Sequence, residues 1–176
     1  MLPRLDGAGR TRPRRWPHPP RGLIPMAVIA LALYATYFLL AVALRTIIQV
    51  RRTGDSGFRG LSGRPGSAQW WAGVLFVAAI VPGVAAPVAA IAGLPPVAVL
   101  DRPAVAVTGA VLAVCGILAT VAAQLSMGES WRIGVGEAER TTLVTGGPFG
   151  SVRNPIFTAM AVTGLGLTLA VPNAVA

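Results

Sequence analysis

The chain has 176 residues, of which 54% are hydrophobic and only 12% charged, with a mean hydropathy of +0.67. A soluble domain carries about 25% charged residues, so composition excludes an ordinary water-soluble globule and predicts an all-α integral membrane protein. The net charge of +9 comes entirely from arginine. The arginines are divided between a tail and loops, which argues against nucleic acid as a partner and for membrane lipids with anionic headgroups.

Residues 1–22 are rich in Arg, Pro and Gly and predict a disordered basic tail. The run over 23–44 carries no charge and is long enough to cross a bilayer core of about 20 residues. It predicts the first transmembrane helix, with Tyr34 and Tyr37 at mid-span packing on other helices. Residues 45–69 read as a polar loop, with five arginines against Asp55. Trp70 and Trp71 mark an interface, and a second span follows over 70–92. Pro82 and Pro87 lie inside it; each removes a helix hydrogen bond, and neighbouring groups must satisfy the freed carbonyls. A short connection over 94–102 leads to a third span over 103–125, opened by Pro103. Gly109, Ala113, Gly116 and Thr120 recur every three or four residues along it, the pattern of a close helix contact. The fourth span covers 155–171. The expected fold is therefore about four transmembrane helices with a polar loop before the last.

Four spans put the tail on one side with 94–102, and loop 45–69 on the other with loop 126–154. Arginines divide eight to seven between the sides, so the positive-inside rule decides nothing for translation from Met1. Starting from Met26 the division becomes eight to one, which places loop 126–154 in the cytoplasm; the membrane expected for the chain is the plasma membrane. Cys115 and His18 are the only cysteine and histidine. An intramolecular disulfide is excluded, and no metal site is expected, because such sites gather several ligands.

The loop over 126–154 carries the candidate chemistry. Asn154 is a preferred N-cap and Pro155 a preferred first helical residue, so the fourth helix starts at the loop. A helix N-terminus suits a carboxylate or phosphate, and Arg153 adds a cation. Gly146, Gly147 and Pro148 let backbone approach a ligand, while Phe149 and Phe157 can pack on a flat ring. The same residues also read as an ordinary interfacial loop with a capped helix and a snorkelling arginine. Glu129, Glu137 and Glu139 read as solvated loop charges. Arg132 reads as a headgroup contact or as a snorkelling side chain.

The stretch Leu143-Val144-Thr145-Gly146-Gly147-Pro148-Phe149-Gly150-Ser151-Val152-Arg153-Asn154-Pro155-Ile156-Phe157 resembles the signature of the isoprenylcysteine carboxyl methyltransferase family of membrane enzymes, which extends to phospholipid methyltransferase relatives. Leu143, Val144, Gly147, Pro148, Val152, Arg153 and Pro155 match the family pattern. Phe149 and Phe157 stand where tyrosine is usual, Asn154 stands where histidine is usual, and Trp131 resembles the tryptophan that precedes the signature. The resemblance implies an S-adenosylmethionine site facing the cytosol, with Gly147, Pro148, Phe149, Val152, Arg153, Asn154, Pro155 and Phe157 around the cofactor and Arg153 as the catalytic candidate. It also implies Trp131 and Arg132 near a lipophilic or small-molecule methyl acceptor. No general base stands out, which leans toward carboxyl O-methylation, since a carboxylate acceptor needs none. Family members continue with a further span and a Glu- and Tyr-containing tail, so the chain is expected to hold only part of the site. The alternative is a non-catalytic membrane protein, a decayed relative or an interaction subunit.

Overall fold

The computed structural model describes residues 22–58, 60, 63–133 and 144–176. The tail over 1–21 lies outside the described residues, and so do Glu137, Glu139, Arg140 and Leu143. The protein is all-helical, with three helices long and apolar enough to cross a membrane and a shorter apolar fourth. Two isolated bridges, Phe58 with Ile133 and Pro96 with Asn173, join its connecting segments.

The first rod begins as α1 (Leu23–Phe38), widens into a π-helical turn over Leu39–Leu44, and continues as α2 (Arg45–Thr53). The first helix therefore does not stop at Leu44, as the charge pattern suggested. Arg45–Thr53 contains neither Gly nor Pro, and its polar residues Arg45 and Gln49 are buried against partners inside the protein. The rod ends at Gly54, whose φ of 73° is a left-handed cap; its N–H bonds the Val50 carbonyl at 2.9 Å. The π turn leaves the Ala41 carbonyl to accept a hydrogen bond from the Gln124 side chain at 3.0 Å.

Ser67 caps α3 (Ala68–Ile80), its hydroxyl accepting from Trp70 N–H at 3.2 Å. Pro82 then divides α3 from α4 (Pro82–Ile91). The Val84 N–H turns to the Val81 carbonyl, and the Ile80 carbonyl accepts instead from the Tyr34 hydroxyl at 2.6 Å. The neighbouring helix thus satisfies the backbone at the kink, as hydrocarbon surroundings demand. Gly83 lets the Tyr34 ring lie against this turn, because a Cβ there would overlap the ring.

The tightest helix pair is α5 (Pro103–Ser126) with α7 (Pro155–Ala170), joined through the four-residue α6 (Pro148–Ser151). Gly109, Ala113, Gly116 and Thr120 are buried, and the first three lie against α7. A Cβ on Gly109 would fall 2.6 Å from the Gly166 carbonyl oxygen, and one on Gly116 would fall 2.6 Å from Thr163 nitrogen. Helices in lipid gain little from hydrophobic burial and associate through close packing; removing side chains at these positions gives backbone-to-backbone contact. Beyond α7, Asn173 is buried and donates to the Ala86 carbonyl at 2.7 Å, while Val97 N–H bonds the Pro172 carbonyl at 2.7 Å. Among the described residues, one end of the bundle therefore holds 92–102 and 171–173, and the other holds 45–58, 63–67, 127–133 and 144–154.

Candidate functional site

The start of α7 forms as local sequence chemistry requires. Asn154 has extended φ of −140°, and its side-chain oxygen accepts from Phe157 N–H at 3.4 Å. Its backbone carbonyl accepts from Thr158 N–H at 3.1 Å and from the Thr158 hydroxyl at 3.0 Å. Pro155 at the first helical position is buried, whereas Arg153 and Asn154 are exposed. Phe157 is 56% exposed and meets Phe76 of α3 edge-on, with ring centroids 6.0 Å apart. A cation, a polar cap and an aromatic pair thus lie together at one helix end.

Ahead of them, Gly147 has φ of 59°, a conformation L side chains rarely adopt, and it turns the chain into α6. Val152 N–H bonds the Pro148 carbonyl at 3.0 Å and closes that single turn. Val152 is exposed, while Pro148 and Phe149 are half-buried. The structure therefore brings Gly147, Pro148, Phe149, Val152, Arg153, Asn154, Pro155 and Phe157 into one continuous turn and helix start.

Trp131 and Arg132 belong to a different arrangement. Trp131 is 2% exposed, and the Arg45 guanidinium lies over its ring, 4.8 Å from the centroid. Gly57 is buried against the same indole; a Cβ there would meet the Trp131 carbonyl at 3.0 Å and ring carbon at 3.3 Å. Arg132 donates to the carbonyls of Glu129 and Trp131 at 2.7 and 2.8 Å. Both residues expected at an acceptor site are thus engaged by their own chain, Trp131 almost completely.

Arg45 and Gln49 are the residues that sequence reasoning missed. Arg45 is 3% exposed; it donates to the Gln49 side-chain oxygen at 3.1 Å and to the Gly128 carbonyl. Gln49 is fully buried and donates to the Glu129 carbonyl at 2.8 Å. Gly128 and Glu129 form the turn that follows α5, where the helix dipole is negative. Arg45 therefore caps the end of α5 from another helix. Its Nε is buried with no hydrogen-bond partner, a destabilising orphan of about 1–3 kcal/mol. The signal available in the sequence was the Arg45/Gln49 spacing of four inside an uninterrupted helix-compatible run.

Two grooves open among the apolar spans. One, about 470 Å³, lies between α1 and the α3–α4 kink and is lined by Tyr34, Val77, Ile80, Val81, Val84 and Val88. The other, about 280 Å³, lies between α1 and α5 beside Leu33 and Val114. Both are lined by apolar surface away from Arg153. Among the described residues no cluster of His, Cys, Asp and Glu is suited to a metal ion. Comparison with known proteins found no matching family model, no similar curated protein and no similar solved structure.

Proposed function

We propose that the chain is a membrane-embedded S-adenosylmethionine-dependent methyltransferase, with its cofactor at the α7 start and a lipophilic or small acceptor drawn from the bilayer. The observation that carries the reading is the exposed trio Arg153, Asn154 and Phe157 at one helix N-terminus, within the stretch that resembles the methyltransferase signature. The donor set suits the cofactor: a guanidinium for its carboxylate, an amide for hydrogen bonding, and the Phe157–Phe76 pair for its adenine. Such a cofactor supplies an electrophilic methyl on a sulfonium, whose transfer needs alignment and desolvation more than a strong acid. Arg153 holds the carboxylate end, and Gly147 and Pro148 allow close backbone approach. The groove beside Tyr34 gives an apolar tail a lateral seat. Counted from Met26, the positive-inside rule favours the arginine-rich end facing the cytoplasm, with the plasma membrane as the expected location.

A specific observation favours a second reading, a non-catalytic membrane protein. Trp131 and Arg132 serve internal packing, and the Arg45 latch gives the 128–133 segment a structural purpose. Tritiated S-adenosylmethionine binding to the detergent-purified chain separates the two. The enzyme reading expects saturable binding that Arg153→Ala weakens at least tenfold. Absence of saturable binding by the intact chain refutes a self-sufficient cofactor site at α7 and favours the non-catalytic reading.

A further inference from the structure

The end of the bundle that holds α2 is strongly basic. Among the described residues, 45–58, 63–67, 127–133 and 144–154 carry six arginines against two acidic residues, whereas the 92–102 segment at the opposite end carries Asp101 and Arg102. Depth within the membrane follows from the helix pairing. The bond from Gln124 to the Ala41 carbonyl and the bond from Arg45 to Gly128 set the end of α5 level with residues 41–45. At ~1.5 Å per residue, Arg45 lies ~33 Å from Leu23, close to the ~30 Å hydrocarbon thickness. Arg51 and Arg52 stand ~10 Å farther along the same rod, in the headgroup layer.

The outward face of α2 is graded to match. Ile47 and Val50 are 49% and 43% exposed, and Arg51 shares their face above them. Arg64 is exposed just before the cap of α3, whose first turns carry Trp70 and the 51% exposed Trp71. Apolar side chains at the core boundary, indoles at the interface and guanidiniums at phosphate height match one lipid leaflet in order.

We propose that Arg51, Arg52 and Arg64 form a docking surface for anionic phospholipids in the leaflet on the side of α2. A guanidinium pairs with a phosphodiester through two parallel N–H donors. A zwitterionic phosphocholine carries its own cation beside the phosphate and is the poorer partner. A basic residue near the membrane surface favours anionic lipid on the order of fivefold.

Trp70 and Trp71 make the surface directly readable. The full chain with Trp16→Phe, so that only the buried Trp131 emits beside Trp70 and Trp71, is reconstituted in phosphatidylcholine vesicles containing brominated phosphatidylglycerol or brominated phosphatidylcholine. Tryptophan quenching then gives the relative affinity of the two lipids beside α3. The expected result is a preference for phosphatidylglycerol on the order of fivefold. It falls toward unity in 0.5 M NaCl and in Arg51→Gln/Arg52→Gln/Arg64→Gln, while Arg102→Gln at the far end leaves it intact. Equal quenching by both lipids in the parent chain overturns the proposal. So does a preference that survives the triple substitution in protein with an unchanged gel-filtration profile.

Discussion

Replacing Arg45 with Met tests the latch between α2 and the turn after α5. Methionine keeps much of the apolar stem and removes the guanidinium, leaving the Gly128 carbonyl and the Gln49 side-chain oxygen without their donor. Hydrogen bonds from a charged group contribute about 1.5–3 kcal/mol each, and a desolvated cation–π contact contributes about 1–2 kcal/mol. Removing the buried charge and its orphaned Nε recovers part of that sum. The expected net loss is about 2–4 kcal/mol. Arg45→Lys retains the charge but not the planar fork, so it falls between Met and the parent. The assay is equilibrium unfolding by sodium dodecyl sulfate in mixed micelles, followed by far-ultraviolet circular dichroism, which reads helix loss and does not depend on Trp131. A double-mutant cycle of Arg45→Met with Trp131→Leu isolates the ring contact, with a coupling of about 1 kcal/mol. An Arg45→Met chain within ~0.5 kcal/mol of the parent, a range usual for ordinary surface substitutions, refutes the reasoning.

Other expectations use the same unfolding assay. Gly116→Leu drives a side chain into the backbone of α7 and costs about 3 kcal/mol or more, whereas Gly164→Leu enters open space and is close to neutral. Equal effects at the two positions would rule out the α5–α7 packing. Tyr34→Phe orphans the Ile80 carbonyl at the Pro82 kink and costs about 1 kcal/mol; no change would mean the kink is satisfied another way. Asn154→Ala removes the α7 cap and costs about 1 kcal/mol, while Asn154→Ser restores most of it.

Local rules made part of this structure legible in advance. Asn154-Pro155 starts a helix because cap and first residue each act within one turn. The Gly109–Thr120 stripe reads as a contact because small residues at that spacing have few other uses in lipid. The path of the first rod was harder to read. Arg45 looks like the end of a span, since a lone guanidinium near hydrocarbon is costly. What makes it tolerable is the end of α5 and the Trp131 ring, more than eighty residues away along the chain. The same distance effect moved Trp131 from expected acceptor contact to buried anchor. Short-range pattern fixes where helices begin and which faces touch, but it carries no information on which remote carbonyls a charge will find.

The unequal partners α5 and α7 also act on their surroundings. At ~1.5 Å per residue, the 16-residue α7 measures ~24 Å beside the ~36 Å of the 24-residue α5. Because Gly109 lies against Ala170, α5 overhangs α7 by ~9 Å at the end where Pro172 and Asn173 fold inward. Lipids on that flank meet a helix that stops short of its neighbour, and they accommodate the step by compressing. A local dimple in one leaflet follows, with an elastic cost of fractions of a kcal/mol per Å of mismatch. The protein is therefore better matched to thin bilayers than to thick ones, and acyl-chain length becomes a variable that tunes its stability independently of headgroup charge.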